Sequence, residues 1–135
     1  MTKIAIVTGA SRGFGRGTAR VLATEGAYKV YATARTKSAL ESLKKEVDDS
    51  AGSGEIIPIV LDQNDDAAVS NFVERVTSSE EKIDLLVNSA YAGLIAMTPH
   101  FGKPFWERPI SVFDVIGVFY ENDLGEDQCA GYIVW

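Results

Sequence analysis

The stretch from Lys3 to Gly15, KIAIVTGASRGFG, decides the fold. Lys3 to Thr8 is a short run of β-branched and small apolar residues, the composition of a strand buried on both faces. Gly9, Gly13 and Gly15 follow in a G-x-x-x-G-x-G spacing, and helical periodicity begins at Phe14. A glycine loop between a strand and a helix leaves the first helical N–H groups free and lets an anion reach them. In such a loop Gly9 permits the tight turn, Gly13 leaves space over the backbone, and Gly15 lets the helix approach the strand. Ser11, Arg12 and Phe14 complete it. A P-loop would end in Gly-Lys-Ser/Thr, which is absent here. A plain strand-to-helix turn is the competing reading.

Outward from the loop, strands alternate with helices. Phe14 to Gly26 is expected to be a helix with Ala19, Val21, Leu22 and Ala23 as its apolar residues and Gly26 as its stop. Lys29 to Ala34 reads as a second strand. Ser38 to Val47 carries Leu40, Leu43 and Val47 at helical spacing. Ser50 to Gly54 is a loop, and Ile56 to Leu61 a third strand in which Pro58 favours an edge position. Asp65 to Thr77 is a helix with Asn64 or Asp65 as N-cap, and Ile83 to Val87 a fourth strand. This order implies parallel strands joined by helical crossovers, an α/β fold.

Composition narrows the function. The chain has 135 residues, 46% of them hydrophobic and 24% charged, with a net charge of -6. Those values describe a globular protein and exclude a uniformly basic nucleic-acid binder. The charge is uneven. Residues 1–47 hold nine Lys/Arg and three Glu, 9 - 3 = +6, while residues 48–135 hold four basic and sixteen acidic residues, 4 - 16 = -12. A basic first third suits a small polyanion, with ordinary solvated helix faces as the alternative. One cysteine, Cys129, excludes an intrachain disulfide framework. With His100 the single histidine, no metal site is expected. No apolar run approaches the roughly 20 residues of a transmembrane helix. A cytoplasmic setting is expected, with association to the endoplasmic reticulum as the alternative.

The end of the second strand indicates which dinucleotide the loop would take. An NAD site places Asp or Glu there for the ribose 2′-OH. This chain has Ala34 and then Arg35, and a guanidinium can grip a 2′-phosphate through two hydrogen bonds. Arg12 can reach the same phosphate. NADP(H) is therefore expected over NAD(H), against the alternative of two solvated arginines.

Taken together, these residues resemble the short-chain dehydrogenase/reductase family. TGASRGFG at 8–15 is similar to its TGxxxGxG cofactor loop. Leu61-Asp62 resembles its acidic site after the third strand, and Asn88-Ser89-Ala90 its Asn-Asn-Ala-Gly motif, with Ser89 in place of the second Asn. NSAYAG at 88–93 with KPFWERP at 103–109 is similar to one branch of the family. The resemblance implies a Rossmann-type sheet of strand order 3-2-1-4 with helices on both faces. It implies that Phe14 offers a loop amide to the pyrophosphate, that Asp62 accepts from the adenine amino group, and that Asn88 and Ala90 line the ribose near the nicotinamide. Asp62 as a strand-end turn former and Asn88 as a buried clip stand as alternatives.

The family transfers hydride between nicotinamide and a carbonyl or alcohol, using a Tyr whose pKa of about 10 is lowered by a Lys four residues on. Tyr28, Tyr31, Tyr91, Tyr120 and Tyr132 have no such Lys in this sequence, and no lysine follows Lys103. No catalytic residue is therefore assigned. Residues 1–116 are expected to form the N-terminal part of the dinucleotide-binding domain and 117–135 a divergent tail, as in a truncated product. The fifth strand is expected to be missing, leaving the fourth as an open edge suited to self-association. Two functions follow. One is an NADP(H)-dependent oxidoreductase whose small carbonyl or alcohol substrate needs a full-length form. The other is a non-catalytic dinucleotide-binding or interaction module.

Overall fold

The computed structural model describes residues 1–90, 98–110 and 132–134. Its elements run β1 (Lys3–Val7), α1 (Gly13–Thr24), β2 (Tyr28–Ala34), α2 (Lys37–Asp48), β3 (Glu55–Val60), α3 (Asp66–Ser79), β4 (Leu85–Asn88) and β5 (Tyr132–Val134), with short 3-10 turns at Thr98–His100 and Phe105–Glu107. The strands form one sheet in the order β3-β2-β1-β4-β5, every neighbour parallel. The expected 3-2-1-4 arrangement is present.

Strand alternation separates two packing layers. Ala5, Val7, Val30, Ala32 and Val87 face α1 and α2, against Ala19, Ala23, Leu40, Leu43 and Val47. Ile4, Ile6, Tyr31 and Leu86 face α3, against Val69, Phe72 and Val76. Helices on both faces keep these strands buried, which is why they read as continuous apolar runs. Tyr31 meets Phe72 edge-on, with ring centroids 6.3 Å apart.

Local details follow from the residues. β3 is an outer strand, so Pro58, set opposite Ala32, takes the edge position its missing N–H favours. Asp65 caps α3 by accepting from the Ala68 N–H at 3.0 Å. α1 ends at Thr24 with Glu25 as C-cap, just short of Gly26, and Ala27 beyond it is left-handed at φ 55°.

The expectation of a missing fifth strand is corrected. Tyr132–Val134 lies parallel to β4, pairing Leu86 with Tyr132, Val87 with Ile133 and Asn88 with Val134. β4 is an inner strand along those residues, so self-association through its open edge loses its basis. Tyr132, Ile133 and Val134, one aromatic and two β-branched residues, suit a strand, but a three-residue pattern is too short to be read from sequence. Residues 111–116 and the remaining tail, 117–131 and 135, lie outside the described residues.

Candidate functional site

The strand order reverses between β1 and β4, where α1 and α3 leave for opposite faces. In open α/β sheets a crevice forms at such a point beyond the carboxyl ends of the strands. A groove of about 640 Å³ lies there. Nine of the ten residues selected from sequence line it: Gly9, Ser11, Arg12, Gly13, Phe14, Gly15, Arg35, Asp62 and Ala90. Asn88 does not. Thr33, Thr36, Gln63 and Asn64 also line it and were missed, since nothing in their spacing marks them.

The loop glycines have separable reasons. Gly9 sits at φ 64°, and a Cβ there would lie 2.6 Å from the Ser89 carbonyl oxygen. Gly15 has its own constraint, because a Cβ would run into the Gly9 carbonyl, so α1 can lie against β1 only without a side chain. Gly13, at φ 58°, would place a Cβ in open space, on the side a ligand would approach. α1 begins immediately after Arg12, whose side chain does not cap it, and its first turn holds no acidic residue. Its N-terminal N–H groups and the positive end of its dipole are thus left to the groove.

Thr8 closes the floor. Its hydroxyl donates to Asn88 Oδ1 at 2.9 Å and accepts from the Ser89 and Ala90 N–H groups at 2.9 and 3.0 Å. The Thr8 N–H donates to the Val87 carbonyl at 3.0 Å. Asn88 is buried and ties β4 to β1, which fits its alternative reading as a clip. Thr8 was passed over as the last residue of a strand. A hydroxyl ending a buried apolar run is the signal that could have found it.

The groove's charges are arranged for an anion. Arg12 and Arg35 are exposed and make no ion pair among the described residues. Arg16 and Arg20, farther along α1, are instead engaged with Glu46 at 3.0 and 3.6 Å. Asp62 Oδ1 accepts from the Asn64 N–H at 3.0 Å and its side-chain amide at 3.2 Å, a local turn. Asp62 is therefore a turn former whose second oxygen is not used by that turn. Gln63 reaches back to the buried Thr33 hydroxyl at 3.4 Å.

The opposite end of the sheet holds a second hollow, lined by Lys29, Glu55, Glu80, Glu81 and Lys82 among others. Here Lys29, Tyr31, Glu80, Lys82 and Asp84 are paired. Glu80 Oε1 accepts from Lys29 Nζ at 2.6 Å and from the Tyr31 hydroxyl at 2.5 Å. Those bonds, Lys29 first, hold the Glu80 carboxyl below its ordinary value. Burial, then Glu80, pushes the Tyr31 hydroxyl up. Asp84 is lowered by Lys82, 2.6 Å away, and by the Ile4 N–H it accepts. Among the described residues no three His, Cys, Asp or Glu side chains gather to hold a metal ion, and no helix is long and apolar enough to cross a membrane.

Comparison with known proteins accords with this geometry. The short chain dehydrogenase family model matches residues 3–120. Dehydrogenase/reductase SDR family member 1 of Mus musculus, from the branch that the NSAYAG and KPFWERP stretches resemble, is 40% identical over 115 residues. That match covers 84% of this chain and 36% of the mouse protein, so the chain spans little more than a third of that relative's length. A metagenomic short-chain oxidoreductase solved in complex with NADP superposes with a TM-score of 0.70 at 29% identity, covering 87% of this chain and 49% of that one. An alcohol dehydrogenase from Thermococcus sibiricus, complexed with 5-hydroxy-NADP, gives 0.68 at 28% identity, covering 87% and 47%. A parallel sheet of order 3-2-1-4, a glycine loop opening α1 at its switch point, and a family match over residues 3–120 together place this chain in the short-chain dehydrogenase family.

Proposed function

We propose that this chain binds NADP(H) in the groove at the switch point. The observation that carries the reading is convergence on one groove of a helix N-terminus without a side-chain cap, an unobstructed Gly13 and two cations that make no ion pair among the described residues. Ser11 and the amides of Gly13, Phe14 and Gly15 receive the pyrophosphate. Arg12 and Arg35 hold the 2′-phosphate from its two sides. The free oxygen of Asp62 accepts from the adenine amino group. Ala90, fixed by Thr8, lines the ribose near the nicotinamide, and Asn88 acts there by holding that wall in place. The cofactor supplies a hydride donor or acceptor when bound.

Residues 1–116 form the dinucleotide half of a short-chain oxidoreductase in this reading, acting on a carbonyl or alcohol substrate when the proton-transfer residues are supplied. Within this sequence no Tyr is followed by Lys four residues later, so the 135 residues bind the cofactor without turning it over. That is the non-catalytic alternative for this chain. Titration with NADPH and NADH, alongside NADPH oxidation with a panel of carbonyls, tests both parts. Tighter binding of NADPH with no oxidation above background is expected. Tighter binding of NADH would overturn the cofactor assignment, and turnover would overturn the absence of a catalytic pair.

A further inference from the structure

We infer that Arg16 is a positioning residue that sets the spacing of the two phosphate-gripping arginines, an inference that rests on the cofactor reading above. Arg16 lies one turn along α1 from Arg12, and its N–H donates to the Arg12 carbonyl at 3.3 Å. Its guanidinium leaves α1 altogether. Nη1 donates to the Ala39 carbonyl at 2.9 Å, and Nη2 to Ser42 Oγ at 3.3 Å and Glu46 Oε2 at 3.0 Å. All three acceptors are on α2, whose N-cap is Thr36, the residue after Arg35. The Leu40 N–H in turn donates to the Thr36 carbonyl at 3.4 Å.

A continuous bonded path therefore runs from Arg12 through Arg16 to the first turns of α2, the helix that starts just after Arg35. Arg12 is the N-cap of α1 and Arg35 lies just before the N-cap of α2, and neither makes an ion pair among the described residues. A 2′-phosphate is gripped by both only if the helix starts stay at a fixed separation. A planar fork with several fixed donors suits such a brace, whereas a lysine offers one point of attachment. Glu46, shared with Arg20 Nε at 3.6 Å, engages the Arg16 guanidinium on α2, and Arg16 does not line the groove, so it does not compete for the phosphate. The brace contacts no group that the two dinucleotides share and acts through the arginines that grip the 2′-phosphate, so its effect should be seen chiefly in the discrimination between NADPH and NADH.

The test titrates the 135-residue chain, Arg16→Ala, Arg35→Ala and the double variant with NADPH and NADH, following nicotinamide fluorescence. Arg16→Ala is expected to weaken NADPH about fivefold and NADH less than about twofold, with the NADPH loss largely abolished in the Arg35→Ala background. Arg16→Lys should recover only part of the NADPH/NADH ratio. Equal weakening of both dinucleotides, or additive effects of Arg16→Ala and Arg35→Ala, would overturn the brace. Should Arg16→Ala not fold, Arg16→Met, which keeps the aliphatic stem and removes every guanidinium donor to α2, gives the same readout: a lowered ratio supports the brace and an unchanged ratio overturns it. A wild-type chain without NADPH preference overturns the reading of the groove itself, whereas a preference that survives Arg16→Ala overturns the brace alone.

Discussion

The two ends of the sheet treat polar groups in opposite ways. At the amino ends of the strands, Lys29, Tyr31 and Glu80 satisfy one another, and Asp84 binds both Lys82 and the Ile4 N–H. At the carboxyl ends, α1 starts without a side-chain cap and Arg12 and Arg35 have no ion pair among the described residues. The difference teaches where function lies. Where polar groups are shielded from water they must satisfy one another, whereas exposed cations and a helix N-terminus left to solvent carry no such penalty and stay available to a ligand. The paired end contributes to stability, and the unpaired end is held open by backbone geometry.

That contrast can be broken from either side, and the largest effect should come where open geometry depends on backbone contact. Gly15→Val would drive a side chain into the Gly9 carbonyl, and a loss of about 3 kcal/mol in chemical denaturation is expected. A loss below about 1 kcal/mol would mean that α1 can move away from β1 freely. Next, the double variant Arg12→Ala/Arg35→Ala should weaken NADPH about 100-fold while leaving folding stability nearly unchanged. If its denaturation midpoint falls as well, the two arginines are part of the structure and the contrast between the ends fails.

The smallest effect is expected at the paired end. Glu80→Gln should lower stability at neutral pH by about 1–2 kcal/mol and leave dinucleotide affinity unchanged. The sign with pH is fixed by the depressed carboxyl. Its contribution is complete above the ordinary value of 4.5 and is lost as pH falls through 4.5 toward the lowered folded-state value. The gap between wild type and Glu80→Gln should therefore close in acid. A gap that stays constant to pH 3 would show that the Lys29 bond is not what stabilises this end.

Much of the open end was legible in the sequence, because its reasons are local. A glycine without room for a Cβ, and an arginine where another dinucleotide would need a carboxylate, can be read from one short stretch. The paired end was not legible. Lys29 and Glu80 are 51 residues apart, and no periodicity connects the start of a strand to a helix's C-cap. The same holds for Thr8 and Asn88, which meet across 80 residues because β1 and β4 are neighbours in the sheet. Asn88 could be placed at a strand end from its motif, yet whether it faces the groove or ties strands depends on that pairing. β5 was missed for a similar reason, since three residues pair with β4 only through the register of a completed sheet.

The small side chains that line the contact between α1 and the sheet, set against the large ones under α3, have a consequence for how the protein tolerates change. On the α1 side, Ala5, Ala32, Ala19 and Ala23 are fully buried, and enlarging any of them would lift the helix whose N-terminus forms the groove. On the α3 side, Ile6, Tyr31 and Phe72 fill a deeper space, and shortening any of them would leave a void without disturbing that helix. Substitutions of opposite direction are thus damaging on the two faces. Overpacking would reach ligand affinity through the position of α1, while underpacking would be felt chiefly as lost stability.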